Sequence, residues 1–160
     1  MKRIYLITHG TKFGGHNQDM TPDGLKQIIS IREQLLPKMP WIPVIFVGIG
    51  ARHKQTFHVL IPTMPHTQIR HSPFCGTADE IEDCEDAVDT NCGKVRTSEY
   101  LGLVNTPGFN PWEFASSLPQ DALLCAGKEL MTALGLSNIF SDGQLYELDA
   151  NTKTGKLFKA

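Results

Sequence analysis

The sequence has few of the features that mark membrane, secreted or metal-stabilised proteins. Its longest apolar stretch, Trp41 to Ala51, has eleven residues with one proline and two glycines inside it, whereas about 20 apolar residues are needed to span a bilayer. Only four apolar residues follow the basic start of the chain, too few for the core of a secretory signal. The four cysteines form no C-x-x-C pair and no zinc-binding spacing, so free thiols are expected. We therefore expect a cytoplasmic protein with no membrane partner and no metal.

Acidic residues are also scarce outside one segment. Residues 1–72 contain nine Lys or Arg, only three acids and all six histidines, whereas residues 79–89 contain seven acids and no base. The first part of the chain therefore favours small anions. A nucleic-acid partner is not expected, because the basic residues are scattered and the aromatic residues do not alternate with them.

Short apolar runs, each followed by a Gly or Pro turn and then by helix-like spacing, are typical of an α/β protein. With 160 residues, of which 41% are hydrophobic, the chain is expected to form a single domain over residues 1–160. Helices and strands are predicted to alternate. Strands are expected over residues 3–8, 43–47, 67–71 and 122–126, helices over residues 51–60 and 127–135, and a closing hairpin from residues 145–148 and 156–159.

The best-marked helix follows the first strand. Thr21 is of the residue type that caps helix N-termini, and Pro22 suits the first helical position. The helical pattern stops at Pro37. Its apolar stripe is predicted to contain Leu25, Ile28, Ile29, Leu35 and Leu36.

The acidic segment and the residues after it are harder to assign. Ile81, Cys84 and Val88 have the spacing i, i+3 and i+7, which predicts an amphipathic helix with an acidic, solvent-facing side. A calcium site would need a D-x-D-x-D-G loop, which the segment lacks. Residues 91–110, rich in Gly, Asn and Thr, are predicted to form a long excursion, and such loops are often functional.

Three turns follow predicted strands and are the places where chemistry is expected. In open parallel sheets, ligands bind beyond the carboxyl ends of the strands, where helix N-termini offer free N–H groups. If the strands are neighbours, His9, Arg52 and the turn at residues 126–128 converge on a pocket suited to an anion. A guanidinium offers a fork of donors and an imidazole can act as a nucleophile, so phosphate is the expected anion.

Four motifs stand at these turns and at the first long helix. The first strand ends in T-H-G at residues 8–10, T-P-D-G-x-x-Q covers residues 21–27, R-H-K-Q-T covers residues 52–56, and the later strand ends in C-A-G at residues 125–127. In order and spacing they resemble the motifs R-H-G, T-x-x-G-x-x-Q, R-A-x-Q-T and V-S-H-G of the histidine phosphatase (phosphoglycerate mutase-like) superfamily. The resemblance covers nearly the whole chain, whose length is similar to that of the short members. It implies an α/β fold, a three-layer sandwich with a mostly parallel central sheet flanked by helices.

The resemblance also implies phosphomonoesterase chemistry, in which a histidine attacks phosphorus, forms a phosphohistidine and is regenerated by water. His9 matches the catalytic nucleophile, Arg52 matches the second arginine of the family, and Asn17 matches a family asparagine two residues out of step. The implied partner is phosphate, a small phosphorylated molecule or a phosphopeptide, and no cofactor is expected. The implied phosphate-binding positions are Thr8, Gly10, Asn17, Arg52, Ala126, Gly127 and Lys128.

Two of these positions depart from the family. Thr8 stands where the family has its first arginine, and Ala126 stands where it has its second histidine. Losing one such donor typically costs roughly 3–4 kcal/mol, about 10² to 10³ in rate, and two losses would approach about 10⁴ to 10⁶ if they added. Lys128 and Lys12 are candidates for partial replacement of the missing charge, although a solvent-facing lysine is the more common case.

Other candidate residues have weaker support. Asp79, Glu80 and Glu82 lie in the region where family members carry a general acid, and no pattern selects one of them. His16 and His53 flank the motifs, and a surface or core-edge position is expected for both.

The expected function is binding of phosphate or a phosphorylated ligand by an incomplete catalytic site, with little or no hydrolysis. Two alternatives stay open. One is an active phosphomonoesterase with a rearranged phosphate pocket, and the other is a structural or interaction domain that uses the acidic segment. No motif indicates an oligomeric state.

Overall fold

A computed structural model describes residues 3–15, 18–39, 44–48, 51–60, 68–71, 86–89, 93–96, 110–117 and 121–159. Helices and strands alternate along most of the chain, as the apolar runs predict. The strands are β1 (Ile4–Thr8), β2 (Val44–Val47), β3 (Gln68–His71), β4 (Asp86–Asp89), β5 (Gly93–Arg96), β6 (Ala122–Ala126), β7 (Leu145–Asp149) and β8 (Thr154–Leu157). The helices are α1 (Pro22–Gln34), α2 (Ala51–Leu60), α3 (Pro111–Ser117) and α4 (Lys128–Ala133), with short 3₁₀ turns at Leu36–Lys38 and Ser137–Ile139.

The central sheet has six strands in the order β3-β2-β6-β1-β7-β8. Parallel pairs join β3, β2, β6 and β1, whereas β7 pairs antiparallel with β1, and β8 pairs antiparallel with β7. The sheet is therefore mixed, and the expectation of a mostly parallel sheet holds only for β3, β2, β6 and β1. The closing hairpin adds the antiparallel edge, because a short turn can connect only antiparallel strands.

Helices cover both faces of this sheet. Ile7 of β1 belongs to a buried cluster that includes Ile28 of α1 and residues of α2. The preceding Leu6 points to the other face, where it shares a cluster with Trp112 of α3 and Leu130 of α4. Alternate side chains of the strands thus enter two separate cores, which is why the buried strands read as continuous apolar runs. The arrangement is a three-layer α/β sandwich.

Helix α1 begins as its sequence predicts, and its buried stripe differs at one position. The hydroxyl of Thr21 accepts a hydrogen bond from the backbone N–H of Gly24 at 3.0 Å, and Pro22 is the first helical residue. Ile28 is fully buried, but Ile29 is 38% exposed. Ile31 is buried instead, because it lies three residues after Ile28 and therefore on the same side of the helix.

The predicted helix in the acidic segment is wrong over residues 86–89. These residues form β4, which pairs antiparallel with β5 inside the predicted excursion. Asp86 is opposite Arg96 and Val88 is opposite Lys94. The pairing of these two strands, which are only three residues apart in sequence, outweighs the helical spacing. Ile81 and Cys84 lie outside the described residues.

Helix α3 lies in a segment for which the sequence predicts no element. Its N-terminus is capped by Asn110, whose side-chain oxygen accepts from the backbone N–H groups of Trp112 and Glu113. Trp112 is buried, and its indole N–H donates to the carbonyl of Leu134 at 3.1 Å.

No helix in the described part of the chain is long and apolar enough to cross a membrane.

Candidate active site

Three strands end side by side at one edge of the sheet. Thr8 of β1 is paired with Ala126 of β6, and Val47 of β2 is paired with Cys125 of β6. The segments that follow these strands therefore start from the same edge, which is where parallel sheets bind ligands. His9 directly follows β1, Gly127 follows β6, and α2 begins shortly after β2.

His9 is held in place by its backbone and by its ring. Its backbone N–H donates to the carbonyl of Ala126 at 3.3 Å, and its own carbonyl accepts from the N–H of Gly143 at 2.7 Å. The ring atom Nδ1 lies 2.8 Å from the carbonyl oxygen of Gly10. Because a carbonyl can only accept, this contact requires the proton on Nδ1 and leaves the lone pair on Nε2. The contact thus selects the tautomer in which Nε2 is the nucleophilic atom.

The environment of His9 also favours the neutral ring. The side chain is only 5% exposed. Burial lowers the pKa of His9 below 6.5, and the charges of Arg52 and Lys12 lower it further, while the bond to Gly10 and the carboxylate of Asp142 act in the opposite direction. A neutral imidazole is the form in which Nε2 can attack an electrophile.

Helix α2 contributes two buried side chains to the same place. Arg52 is 6% exposed and His53 is 1% exposed. The rings of His9 and His53 have centroids 5.6 Å apart and an interplanar angle of 66°. Burial lowers the pKa of His53 well below 6.5, and Arg52 and His9 add to the effect. The structure therefore buries His53, for which the sequence predicts a surface or core-edge position.

Gly127 gives the two imidazoles room. A Cβ on Gly127 would lie 3.2 Å from Nε2 of His9 and 3.3 Å from Cε1 of His53, closer than side chains normally approach. The φ angle of Gly127 is −148°, a value that residues other than glycine also adopt. Its lack of a side chain therefore serves close approach and not an unusual backbone conformation.

The loop after β1 is tied to α1 by a pair of glycines. A Cβ on Gly10 would collide with the backbone of Gly24, and a Cβ on Gly24 would collide with the carbonyl oxygen of Thr11. The glycines of the T-H-G and T-P-D-G motifs are thus the contact points of two backbones. This contact fixes the position of the residue next to Gly10, which is His9.

Polar motif residues hold the same loop from other sides. Gln27 of α1 accepts from the backbone N–H of Thr11 at 3.0 Å, and Gln55 of α2 accepts from the backbone N–H of Met20 at 2.8 Å. The hydroxyl of Thr56 donates to the carbonyl of Arg52 at 2.8 Å. The glutamines of both motifs therefore brace the loop that surrounds the site.

Thr8 and Ala126 have contacts away from His9. The hydroxyl of Thr8 donates to the carbonyl of Ser141 at 2.7 Å and accepts from the N–H of Gln144 at 2.9 Å. Its one proton is thereby used, so Thr8 offers no donor to an anion. The side chain of Ala126 is fully buried in the cluster that includes Leu130. Neither side chain contributes a charge to the site.

The two candidate lysines lie at the periphery. Lys128 begins α4 and is exposed. The ammonium group of Lys12 donates to the carbonyl of Gly15 in its own loop at 3.2 Å. The sequence patterns do not single out Asp142. Its carboxylate acts to raise the pKa of His9, and the next residue, Gly143, donates its N–H to the carbonyl of His9. The remaining candidates lie outside the described residues; they are His16, Asn17, Asp79, Glu80 and Glu82.

Other concave surfaces lie away from this edge. Open cavities of about 660 Å³ and 710 Å³ share Glu147 and Lys156 of the closing hairpin, and the first also includes Arg3 at the opposite end of β1. Their walls lack the buried titratable groups that mark the His9 edge. Within the described residues, no group of three or more His, Cys, Asp or Glu side chains could hold a metal ion.

The fold is similar to those of several solved structures. The protein assigned as phosphohistidine phosphatase SixA from Agrobacterium tumefaciens matches with a TM-score of 0.59 and 13% identity over 99% of this chain and 96% of that one. The corresponding protein from Nakamurella multipartitia gives 0.54 and 15% over 99% and 94% of the two chains. A phosphoglycerate mutase from Thermus thermophilus gives 0.55 and 16% over 92% of both. No protein-family model and no curated protein matches the sequence. The chain has the fold of the histidine phosphatase (phosphoglycerate mutase-like) superfamily.

Proposed function

We propose that the protein binds phosphate or a phosphorylated ligand at the edge formed by His9 and Arg52, with little or no hydrolysis. The observation that carries the proposal is the burial of an imidazole and a guanidinium at the carboxyl end of the sheet. Nε2 of His9 has its lone pair available, and Arg52 is close enough to lower the pKa of His9. A phosphoryl group suits this pair, because the guanidinium can donate to its oxygens while the lone pair of Nε2 faces phosphorus.

Weak hydrolysis follows from the two missing donors. In the family that the motifs resemble, two arginines and a second histidine hold the phosphoryl oxygens. Here the hydroxyl of Thr8 is used by the loop at residues 141–144, and the methyl of Ala126 is in the core. The charge that develops in a phosphoryl-transfer transition state therefore receives fewer preorganised donors. Lys128 is exposed beside Gly127 and can act on the ligand only as a point charge.

An active phosphomonoesterase is the second candidate, and the tautomer of His9 favours it. In that reaction Nε2 attacks phosphorus, the ester P–O bond breaks, and the leaving alkoxide takes a proton from a general acid. Water then attacks the phosphohistidine, which releases phosphate and regenerates the neutral ring. The structural neighbours assigned as phosphohistidine phosphatases make a phosphohistidine peptide a further substrate to test.

Titration with tungstate, a phosphate analogue, tests the proposal by calorimetry. We expect one binding site, and we expect Arg52→Ala to weaken tungstate about 10- to 100-fold, the value of a hydrogen bond to a charged group. Arg3→Ala is the matched control, because Arg3 precedes β1 at its other end while His9 follows it. This control should bind tungstate like the unmodified protein.

Turnover of an aryl phosphate by the same preparation separates the candidates. Tungstate binding without turnover supports the proposed function. Turnover that disappears in His9→Ala supports the phosphatase instead. Absence of both tungstate binding and turnover would overturn the two candidates and leave the interaction domain.

A further inference from the structure

His53 is a buried titratable side chain to which the proposed function assigns no task. It lies one residue after Arg52 in the first turn of α2, and its ring packs against the ring of His9. An imidazole carries at least one N–H donor in every protonation state. A fully buried imidazole at this edge can therefore donate a hydrogen bond in any protonation state, in the direction that its ring N–H faces.

The position of Gly127 indicates where those nitrogens face. Cε1 is the ring atom of His53 that comes nearest to the missing Cβ of Gly127, at 3.3 Å. Because Cε1 is bonded to both ring nitrogens, this edge of the ring presents a donor beside Gly127 whichever tautomer is present. Nε2 of His9 lies 3.2 Å from the same point. The nucleophilic atom of one ring and the donor edge of the other therefore both lie beside Gly127.

The charges around His53 suit an anion at this edge of the sheet. The described groups that act on its pKa are Arg52 on its own helix and His9 after β1, and both disfavour protonation. The carboxylate of Asp142 acts in the opposite direction on His9. A phosphoryl dianion would place negative charge beside both rings and beside the guanidinium of Arg52.

We infer that His53 is a second phosphoryl-contacting imidazole of this site, whose ring N–H donates to an oxygen of the group that His9 faces. The inference rests on the proposed function, since it needs an anion at the His9 edge. Helix α2 would then make two of the ligand contacts, one through the guanidinium of Arg52 and one through the ring of His53. It would supply a donor that β6 lacks, because β6 ends in Ala126.

Tungstate calorimetry on three variants tests this role at pH 7. His53→Leu removes the donor at similar volume, and we expect tungstate binding to weaken about 10- to 100-fold. His53→Gln keeps an N–H donor and should recover most of that loss. His58→Ala is the control, since His58 is an exposed histidine of the same helix, and its affinity should be unchanged.

A folded His53→Leu variant with full tungstate affinity would overturn the inference. Should that variant not fold, the ¹⁵N resonances of the His53 ring in the unmodified protein decide. They should shift on saturation with tungstate, and a ring that stays unperturbed while that of His9 shifts contradicts the contact. Failure of the proposed function is a different result, because the unmodified protein would then bind no tungstate.

Discussion

Thr8 illustrates how one hydroxyl can have a structural task at a site where a charge is expected. It ends β1, is fully buried, and makes two hydrogen bonds with the loop at residues 141–144. The same loop supplies the N–H of Gly143 that contacts the carbonyl of His9. The threonine therefore supports the backbone of His9 indirectly, by fixing the loop that touches it.

Thr8→Val is expected to destabilise the protein. Valine keeps the shape of threonine but leaves the carbonyl of Ser141 and the N–H of Gln144 without their partner, and an unsatisfied buried group costs about 1–3 kcal/mol. Urea denaturation should show a loss of this size in the free energy of unfolding. Thr132→Val, on the exposed side of α4, is the matched control and should change stability by less than about 0.5 kcal/mol. Equal midpoints for the two variants would show that the Thr8 contacts contribute nothing.

Residue by residue, the sequence predicts those site members that follow strand ends. His9 and Gly127 come directly after apolar runs, and Arg52 comes shortly after a third, so parallel pairing is enough to bring them to one edge. His53 could not be predicted in this way. Neighbouring residues of a helix point about 100° apart, so an inward Arg52 does not by itself imply an inward His53. The partner of the Thr8 hydroxyl lies more than 130 residues along the chain, and no local pattern contains it.

At the scale of elements, the contact between β1 and α1 depends on two glycines. Gly10 follows β1 and Gly24 lies in the first turn of α1, and each leaves space for the backbone of the other segment. The N-cap Thr21 adds a second tie, because its hydroxyl donates to the carbonyl of Thr11 at 3.1 Å. The helix start and the loop after the strand are thus one packed unit.

Gly24→Ala tests this unit, because propensity and packing predict opposite signs. Alanine is about 1 kcal/mol more favourable than glycine inside a helix. The added Cβ would however collide with the backbone of Thr11, which cannot move as a flexible side chain can, and overpacking typically costs about 1–3 kcal/mol. We expect a net loss of stability in urea denaturation, and weaker tungstate binding because His9 is displaced.

The control is Ser30→Ala, on the exposed side of the same helix, which should leave stability unchanged or slightly raised. A Gly24→Ala variant as stable as Ser30→Ala would mean that the backbones can separate without cost.

Most elements of the sheet could be predicted because their strands are buried on both faces. A short, continuous apolar run such as Ile4–Thr8, bounded by a turn, is typical of a buried strand, and α1 carries both a cap and a stripe. Prediction failed at β4, where a short strand depends on pairing with β5 and where apolar residues at helical spacing favoured a helix. It also missed α3, since seven residues are too few to show a period.

At the scale of the whole molecule, burial separates the apolar core from one polar edge. Within the described residues, the buried polar or charged side chains all belong to β1, its following residue, and α2; they are Thr8, His9, Arg52, His53 and Thr56. Burial raises the pKa of the Cys125 thiol to about 12, so this thiol stays neutral at physiological pH. Among the described residues, the response of stability to mild acid should therefore be concentrated in the two buried histidines.

Acid sensitivity between pH 7.5 and pH 5.5 follows from the pKa values of these histidines. Both pKa values lie below 6.5 in the folded protein. The unfolded chain therefore takes up protons first as the pH falls through that value, and the free energy of unfolding decreases. Each histidine can contribute up to about 1.4 kcal/mol per pH unit. His53→Gln removes one of them, so its urea-denaturation profile against pH should be shallower by up to this amount. The comparison isolates His53 because the two proteins share every other titratable group. The buffer must contain no phosphate, since a bound anion would favour the protonated rings.

Parallel profiles of unfolding free energy against pH would mean that His53 has the same pKa in the folded and unfolded chains. The burial of His53 beside Arg52 and His9 should prevent this equality.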